Sequence, residues 1–131
     1  MEHRDHRAAI GGKRGEAFHH AILIGGIERR DGFVEIVVKK QPGGLCSGQL
    51  TALEPGDTVT VFLRRNLGFQ PGRGRAPLIL IGAGTGIGPL AGFVRGNIRH
   101  RPIHLFFGMR HPDSDFLYGE EMPVWQHDGR L

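Results

Sequence analysis

Residues 77–89 read Pro77-Leu-Ile-Leu-Ile-Gly-Ala-Gly-Thr-Gly-Ile-Gly-Pro89, and this stretch decides the fold. Pro77 to Ile81 (PLILI) form a continuous apolar run, the pattern of a buried parallel strand rather than of a half-wet antiparallel one. Four glycines then crowd into Gly82 to Gly88, where the chain must turn sharply from strand to helix. Glycines there let backbone N–H groups come close to a phosphate, and the helix that follows favours negative charge at its start. Pro89 suits the first helical turn, where its missing N–H has no acceptor to lose. Two familiar motifs fail on inspection. The dinucleotide fingerprint G-x-G-x-x-G starts correctly at Gly82 and Gly84 but meets Ile87 in third place, with no acidic residue about 20 positions on. The P-loop fails because no lysine follows the loop. Phosphate binding and a plain tight turn both stay open on these residues.

Downstream, Pro89 to Ile98 reads as a helix with Leu90, Phe93, Val94 and Ile98 on related faces. Ile103 to Phe107 (IHLFF) reads as a second buried strand, and Ser114 to Trp125 as a second helix, weakened towards its end by Pro123. The order strand, helix, strand, helix is the beginning of a parallel α/β unit. Ligands in such sheets lie beyond the carboxyl ends of the strands. Gly84 and Gly108 are therefore expected at one crevice, with Arg110 able to meet a phosphate there.

Upstream the pattern differs. Phe33 to Lys40 (FVEIVVKK) and Thr58 to Leu63 (TVTVFL) read as strands, separated by turn signals at Gln41 to Gly44 and Glu54 to Asp57. Leu45 to Leu53 suits a short helix or turn, and Gly43-Gly44-Leu45-Cys46-Ser47-Gly48 forms a second glycine loop. Residues 1–17 are polar and without period, which suggests loop or disorder. The join between an antiparallel β part and the α/β part lies near Gly72 to Pro77.

Composition narrows the field without deciding it. A chain of 131 residues is the size of one domain. Its net charge of +4 and sequence pI near 10.0 suit anionic partners. Cys46 is the single cysteine, so no internal disulfide is possible, and a reducing, cytoplasmic setting is expected. No apolar run is long enough to span a membrane. His3-Arg4-Asp5 resembles a kinase catalytic loop, but Ile10 stands where asparagine is needed. His3, Asp5 and His6, or His19 and His20, lack the spacing of a metal site. No motif supports nucleic-acid binding. Trp125 and the phenylalanines at 106, 107 and 116 read as core.

Taken together and in this order, GLCSGQL (44–50), VFLRRNLGFQP (61–71), PLILIGAGTGIGPLAGFVR (77–95) and HLFFGMRHPDSDFLYGEEM (104–122) resemble the ferredoxin–NADP reductase superfamily. The likeness is to its diflavin branch, which includes sulfite reductase flavoprotein, cytochrome P450 reductase and the nitric oxide synthase reductase domain. It runs from about Gly32 to Leu131. The resemblance implies α/β with a β-barrel portion: a partial flavin-binding antiparallel β-barrel over 32–76, then the first half of a parallel Rossmann-like NADP-binding sheet over 77–131. Residues 1–31 would be a divergent or disordered start.

The resemblance also implies roles. Gly44, Leu45, Cys46 and Ser47 would bind the FAD diphosphate. Gly84, Thr85 and Gly86 would bind NADPH, with Gly108, Met109 and Arg110 lining the same site. Tyr118 and Glu121 would be structural. Hydride would pass from NADPH to FAD, and electrons onward to an acceptor protein or domain, such as an FMN-binding flavodoxin-like domain. No residue is assigned a catalytic role of its own. Two departures matter. HHAILIGGIERR (19–30) does not match the family's Arg-x-Tyr-Ser flavin clamp, and Met109 stands where the diflavin enzymes carry a cysteine. The downstream elements that recognise the 2′-phosphate and shield the flavin are not in these 131 residues. An incomplete copy is therefore expected, with a catalytically inactive nucleotide-binding fragment as the alternative function.

Overall fold

A computed structural model describes residues 6–11, 33–61 and 66–131. Expectations for His3, Asp5, His19, His20, the 19–30 segment and Phe62 to Arg65 lie outside the described residues. Two two-stranded sheets are present among the described residues. In the first, β1 (His6–Gly11) pairs antiparallel with β2 (Phe33–Val38), running from His6 opposite Val38 to Gly11 opposite Phe33. In the second, β3 (Leu78–Ala83) pairs parallel with β4 (Ile103–Gly108), from Leu78 opposite Ile103 to Ala83 opposite Gly108. Between the sheets in sequence comes a short helix, α1 (Leu45–Leu50). A 3-10 turn (Gly84–Gly86) and α2 (Ile87–Arg95) join β3 to β4, and α3 (Pro112–Asp115) and α4 (Glu121–His127) follow. No helix among the described residues is long and apolar enough to cross a membrane.

Helix α2 shows why these elements pack as they do. Its buried residues are Ile87, Leu90, Ala91 and Val94, spaced three, four and seven apart, which is one face of a helix. That face meets Leu80 of β3 and Ile103 of β4, and Tyr118 and Trp125 complete the core. Asn97 is the buried polar residue of this region. Its Nδ2 donates to the carbonyls of Arg101 (2.8 Å) and Arg130 (2.9 Å), and its Oδ1 accepts from Arg101 N (3.1 Å). It thus closes the α2–β4 connection with its bonding capacity well used, as burial of an amide requires.

Several expectations are corrected. His6–Gly11 is a strand, not loop; it has no apolar alternation of its own and is held by pairing with β2. Thr58 to Val61 is not strand. Ile98 is 74% exposed because α2 ends at Arg95, before the next turn of the apolar stripe. The expected helix over 114–125 is two pieces, broken where Tyr118 takes φ +60°. Pro123 sits in the first turn of α4, where the helix tolerates it.

The largest correction concerns β3 and β4. Both were expected to be buried strands, yet Ile79 is 61%, Ile81 76% and Phe106 59% exposed. Helix α2 covers one face of the pair, and no element among the described residues covers the other. Phe106 and Phe116 are accordingly not core, whereas Trp125 is, at 4% exposure.

Candidate nucleotide site

The glycine loop begins where β3 ends. Gly84 has φ +51°, a left-handed conformation that a glycine adopts at little cost. The next residues wind one 3-10 turn into α2, so the first amides of this helical run have no preceding turn to bond. The four glycines of the motif serve different ends. A Cβ on Gly82 would lie 2.7 Å from Leu90 Cδ1 and 3.3 Å from Gly86 O, so this glycine lets α2 pack onto β3. A Cβ on Gly88 would lie 3.1 Å from Val37 Cγ2, so this one lets β2 approach α2. Around Gly84 and Gly86 a Cβ would meet nothing within 4 Å. Packing does not require glycine at these two positions, and the space beside them is open to a ligand.

The β3–β4 register places the second segment beside the first. Ala83 faces Gly108, so the chain leaves both strands at the same end. Gly84 to Gly86 and Gly108 to Arg110 therefore leave the sheet side by side at one end. Arg110 is exposed and has no ion-pair partner among the described residues. Met109 is half-buried. A thioether there cannot take part in proton transfer as a thiol would.

Strand β2 leads into the other loop. Glu35 reaches Arg95 at the end of α2, whereas Val37 lies against Gly88 at its start. Strand β2 thus runs against the direction of α2. Beyond Val38 the chain runs through a turn into the second glycine loop, Gly43 to Ser47. Within that loop Gly43 has φ +69°, and Gly44 N donates to Gln41 O (3.0 Å). Ser47 Oγ accepts from Gln41 N (3.1 Å) and donates to Gly44 O (3.4 Å). The hydroxyl therefore shapes the loop, leaving the first amides of α1 at Leu45, Cys46 and Ser47 as the outward donors. Leu45 is 84% exposed and Cys46 is exposed.

One cluster was not foreseen as a whole. Arg95 donates to Glu121 Oε2 (2.6 Å) and Glu35 Oε1 (3.2 Å), and Tyr118 donates its hydroxyl to Glu35 Oε1 (2.6 Å). The guanidinium also lies over the rings of Tyr118 (5.1 Å) and Trp125 (5.7 Å). Burial works against its charge, but the hydrogen bond to Glu121 and the fields of both carboxylates together outweigh burial. The arginine is held above its ordinary pKa. The cluster joins β2, the end of α2 and the start of α4. Tyr118 and Glu121 were expected to be structural. Arg95 and Glu35 were not singled out, because 60 residues separate them and neither carries a local signal.

Comparison with known proteins agrees with this geometry. Residues 80–131 match the family of the oxidoreductase NAD-binding domain. The chain is 43% identical over 97 residues to inducible nitric oxide synthase of Oryctolagus cuniculus, covering 67% of this chain and 20% of that protein. The chain holds a partial domain like that of the diflavin reductases. This reductase-like domain is also 38% identical over 80 residues to NADPH oxidoreductase A of Dictyostelium discoideum, covering 58% of this chain and 13% of that protein. Against the bifunctional cytochrome P450/NADPH–P450 reductase 2 of Bacillus subtilis (strain 168), it is 38% identical over 96 residues, covering 66% and 9%. The chain therefore spans a fifth or less of the length of these relatives. Among the described residues no group of three or more histidine, cysteine, aspartate or glutamate side chains could hold a metal.

Proposed function

We propose that this chain is the nucleotide-binding part of a flavoprotein reductase that moves hydride from NADPH to FAD and passes electrons to an acceptor protein or domain. One observation carries the reading: around Gly84 and Gly86 the fold leaves space that packing does not use, at the end of the sheet where Gly108 also stands. The relatives' names supply the coenzyme, since one is an NADPH oxidoreductase and another an NADPH–P450 reductase.

In this reading the amides of Gly84, Thr85 and Gly86 bind the NADPH phosphates, with Gly108 leaving room for the nucleotide and Met109 packing beside it. Arg110 draws the anion in. The amides of Leu45, Cys46 and Ser47, presented by the turn at Gly44, bind the FAD diphosphate. When bound, the two coenzymes supply the redox chemistry, and the protein supplies position and electrostatics. The Arg95 cluster holds β2, α2 and α4 together. With it go a flavin-binding β-barrel part over 32–76, to which β2 belongs, and an NADP-binding part over 77–131. The acceptor is in this proposal an FMN-binding flavodoxin-like domain or a separate protein.

The purified chain, titrated with FAD and then NADPH, should develop a bound-flavin absorbance band and reduce a dye at the expense of NADPH. Unchanged spectra with both coenzymes, together with unmoved amide resonances at 44–47 and 84–86, would end the proposal. A second reading, nucleotide binding without turnover, is favoured by the open outer face of β3 and β4. It predicts NADPH-dependent shifts at 84–86 with no dye reduction.

A further inference from the structure

The end of the β3–β4 sheet opposite the glycine loops holds an open groove of about 750 Å³. Its floor is aliphatic and aromatic, built from Leu78, Phe93, Ile98 and Ile103. Its rim carries Arg73, Arg75 and Arg99, and no acidic residue lines it. All three arginines are exposed, and none has an ion-pair partner among the described residues. Arg101 is different. Its guanidinium donates to the carbonyls of Ala76 and Pro71, and so holds the 71–76 loop against the start of β4. The loop itself runs Gly72-Arg73-Gly74-Arg75, with Gly72 at φ +64°. It therefore presents two guanidiniums on a backbone anchored from beneath.

An apolar floor ringed by unpaired cations is a surface for a chain that offers carboxylates and aliphatic side chains together. We propose that this groove docks an acidic, aliphatic-bearing segment of a partner protein. Nucleic acid is the other obvious polyanion, and the floor argues against it. Single strands bind through aromatic faces on which bases stack. Phe93 is half-buried, and its ring is already packed by Phe69, with centroids 5.2 Å apart. Ile98, 74% exposed, supplies instead the kind of uncovered aliphatic surface that a leucine or valine would cover. The groove lies at the far end of the sheet from the crevice at Gly84 and Gly108. A partner held there leaves the nucleotide end free, and the proposal does not depend on the redox reading.

The test uses the full chain and a fluorescein-labelled synthetic peptide of alternating glutamate and leucine, with binding followed by anisotropy. Saturable binding is expected, weakened by salt. Three rim pairs of the strength usual for exposed ion pairs amount to about a tenfold effect, so the combined substitution Arg73→Gln, Arg75→Gln, Arg99→Gln should weaken binding by about that factor. Ile98→Ser should weaken the glutamate–leucine peptide but leave a polyglutamate peptide unaffected. All four positions are at the surface, and circular dichroism should show each variant folded. The proposal fails if the triple variant binds within twofold of the wild type or if no saturable binding occurs. It also fails if polyglutamate or a single-stranded oligonucleotide binds as tightly as the mixed peptide.

Discussion

Replacing Gly86 by alanine adds one methyl group at a place where the fold has room for it. Gly86 has φ −64° and ψ −12°, ordinary helical values, and a Cβ there meets nothing within 4 Å. Because the preceding 3-10 turn makes this residue part of a continuous helical run, the usual preference for glycine over alanine at a non-helical cap does not apply. Alanine should therefore stabilise the protein, chiefly by restricting the unfolded chain, by about 0.4–1 kcal/mol. For a domain of this size that is a rise in Tm of about 2–6 °C. If a phosphate lies against the Gly86 amide, the same methyl group obstructs it. Losing one hydrogen bond to a charged group costs about 1.5–3 kcal/mol, or roughly 10- to 150-fold in NADPH affinity. The control is Gly82→Ala. Its Cβ would press on Leu90 Cδ1 at 2.7 Å and Gly86 O at 3.3 Å, so it should destabilise by about 1–3 kcal/mol through overpacking. Thermal melts and NADPH titrations of both variants separate the two kinds of glycine. A Gly86→Ala protein that melts higher and binds NADPH as well as the wild type would refute the phosphate reading. One that melts several degrees lower would refute the reading of the space itself.

Three further outcomes are expected. Arg95→Met should lower unfolding free energy in urea by about 2–3 kcal/mol, because two part-buried carboxylates lose the cation between them. That arginine's pKa is raised on folding, so its contribution is complete below the unfolded value and declines only as pH climbs through the folded one; alkaline titration short of that range should leave it intact. Tyr118→Phe should cost about 1.5 kcal/mol in the same assay through the lost bond to Glu35. The double substitution Ile79→Lys, Ile81→Lys should leave stability within about 0.5 kcal/mol of the wild type while reducing dye binding to exposed apolar surface and self-association by sedimentation, since both side chains stand on the open face.

The α/β unit was legible because its signals are local. An apolar run, a glycine cluster and an amphipathic stretch follow one another within Leu78 to Val94, and each specifies the element the structure contains. The segments that were misread depend on partners distant in sequence. His6–Gly11 carries no alternation and becomes a strand through β2, which is remote in the chain. The break in the 114–125 helix has the same origin. Helical periodicity takes no account of Tyr118, whose ring packs 5.9 Å from Trp125 and whose hydroxyl reaches Glu35, 83 residues away. The backbone turns to φ +60° where those contacts are made.

The apolar runs of β3 and β4 mislead in another way. A run that is apolar on both faces fits a strand covered on both sides, but a sequence does not say what does the covering. Here α2 takes Leu80 and Ile103, while Ile79, Ile81 and Phe106 face outward. Parallel sheets occur almost only with both faces covered. The sequence of these strands is thus written for a layer that the described residues do not contribute, whereas the glycine crevice needs no such layer. Gly84 and Gly86 owe their position to β3 and α2, and Gly108 owes its position to the register with Ala83. None of those contacts involves Ile79, Ile81 or Phe106. That division is why the substitutions at Ile79 and Ile81 and those at Gly82 and Gly86 should report independently, the first pair on association, Gly82 on packing and Gly86 on the nucleotide.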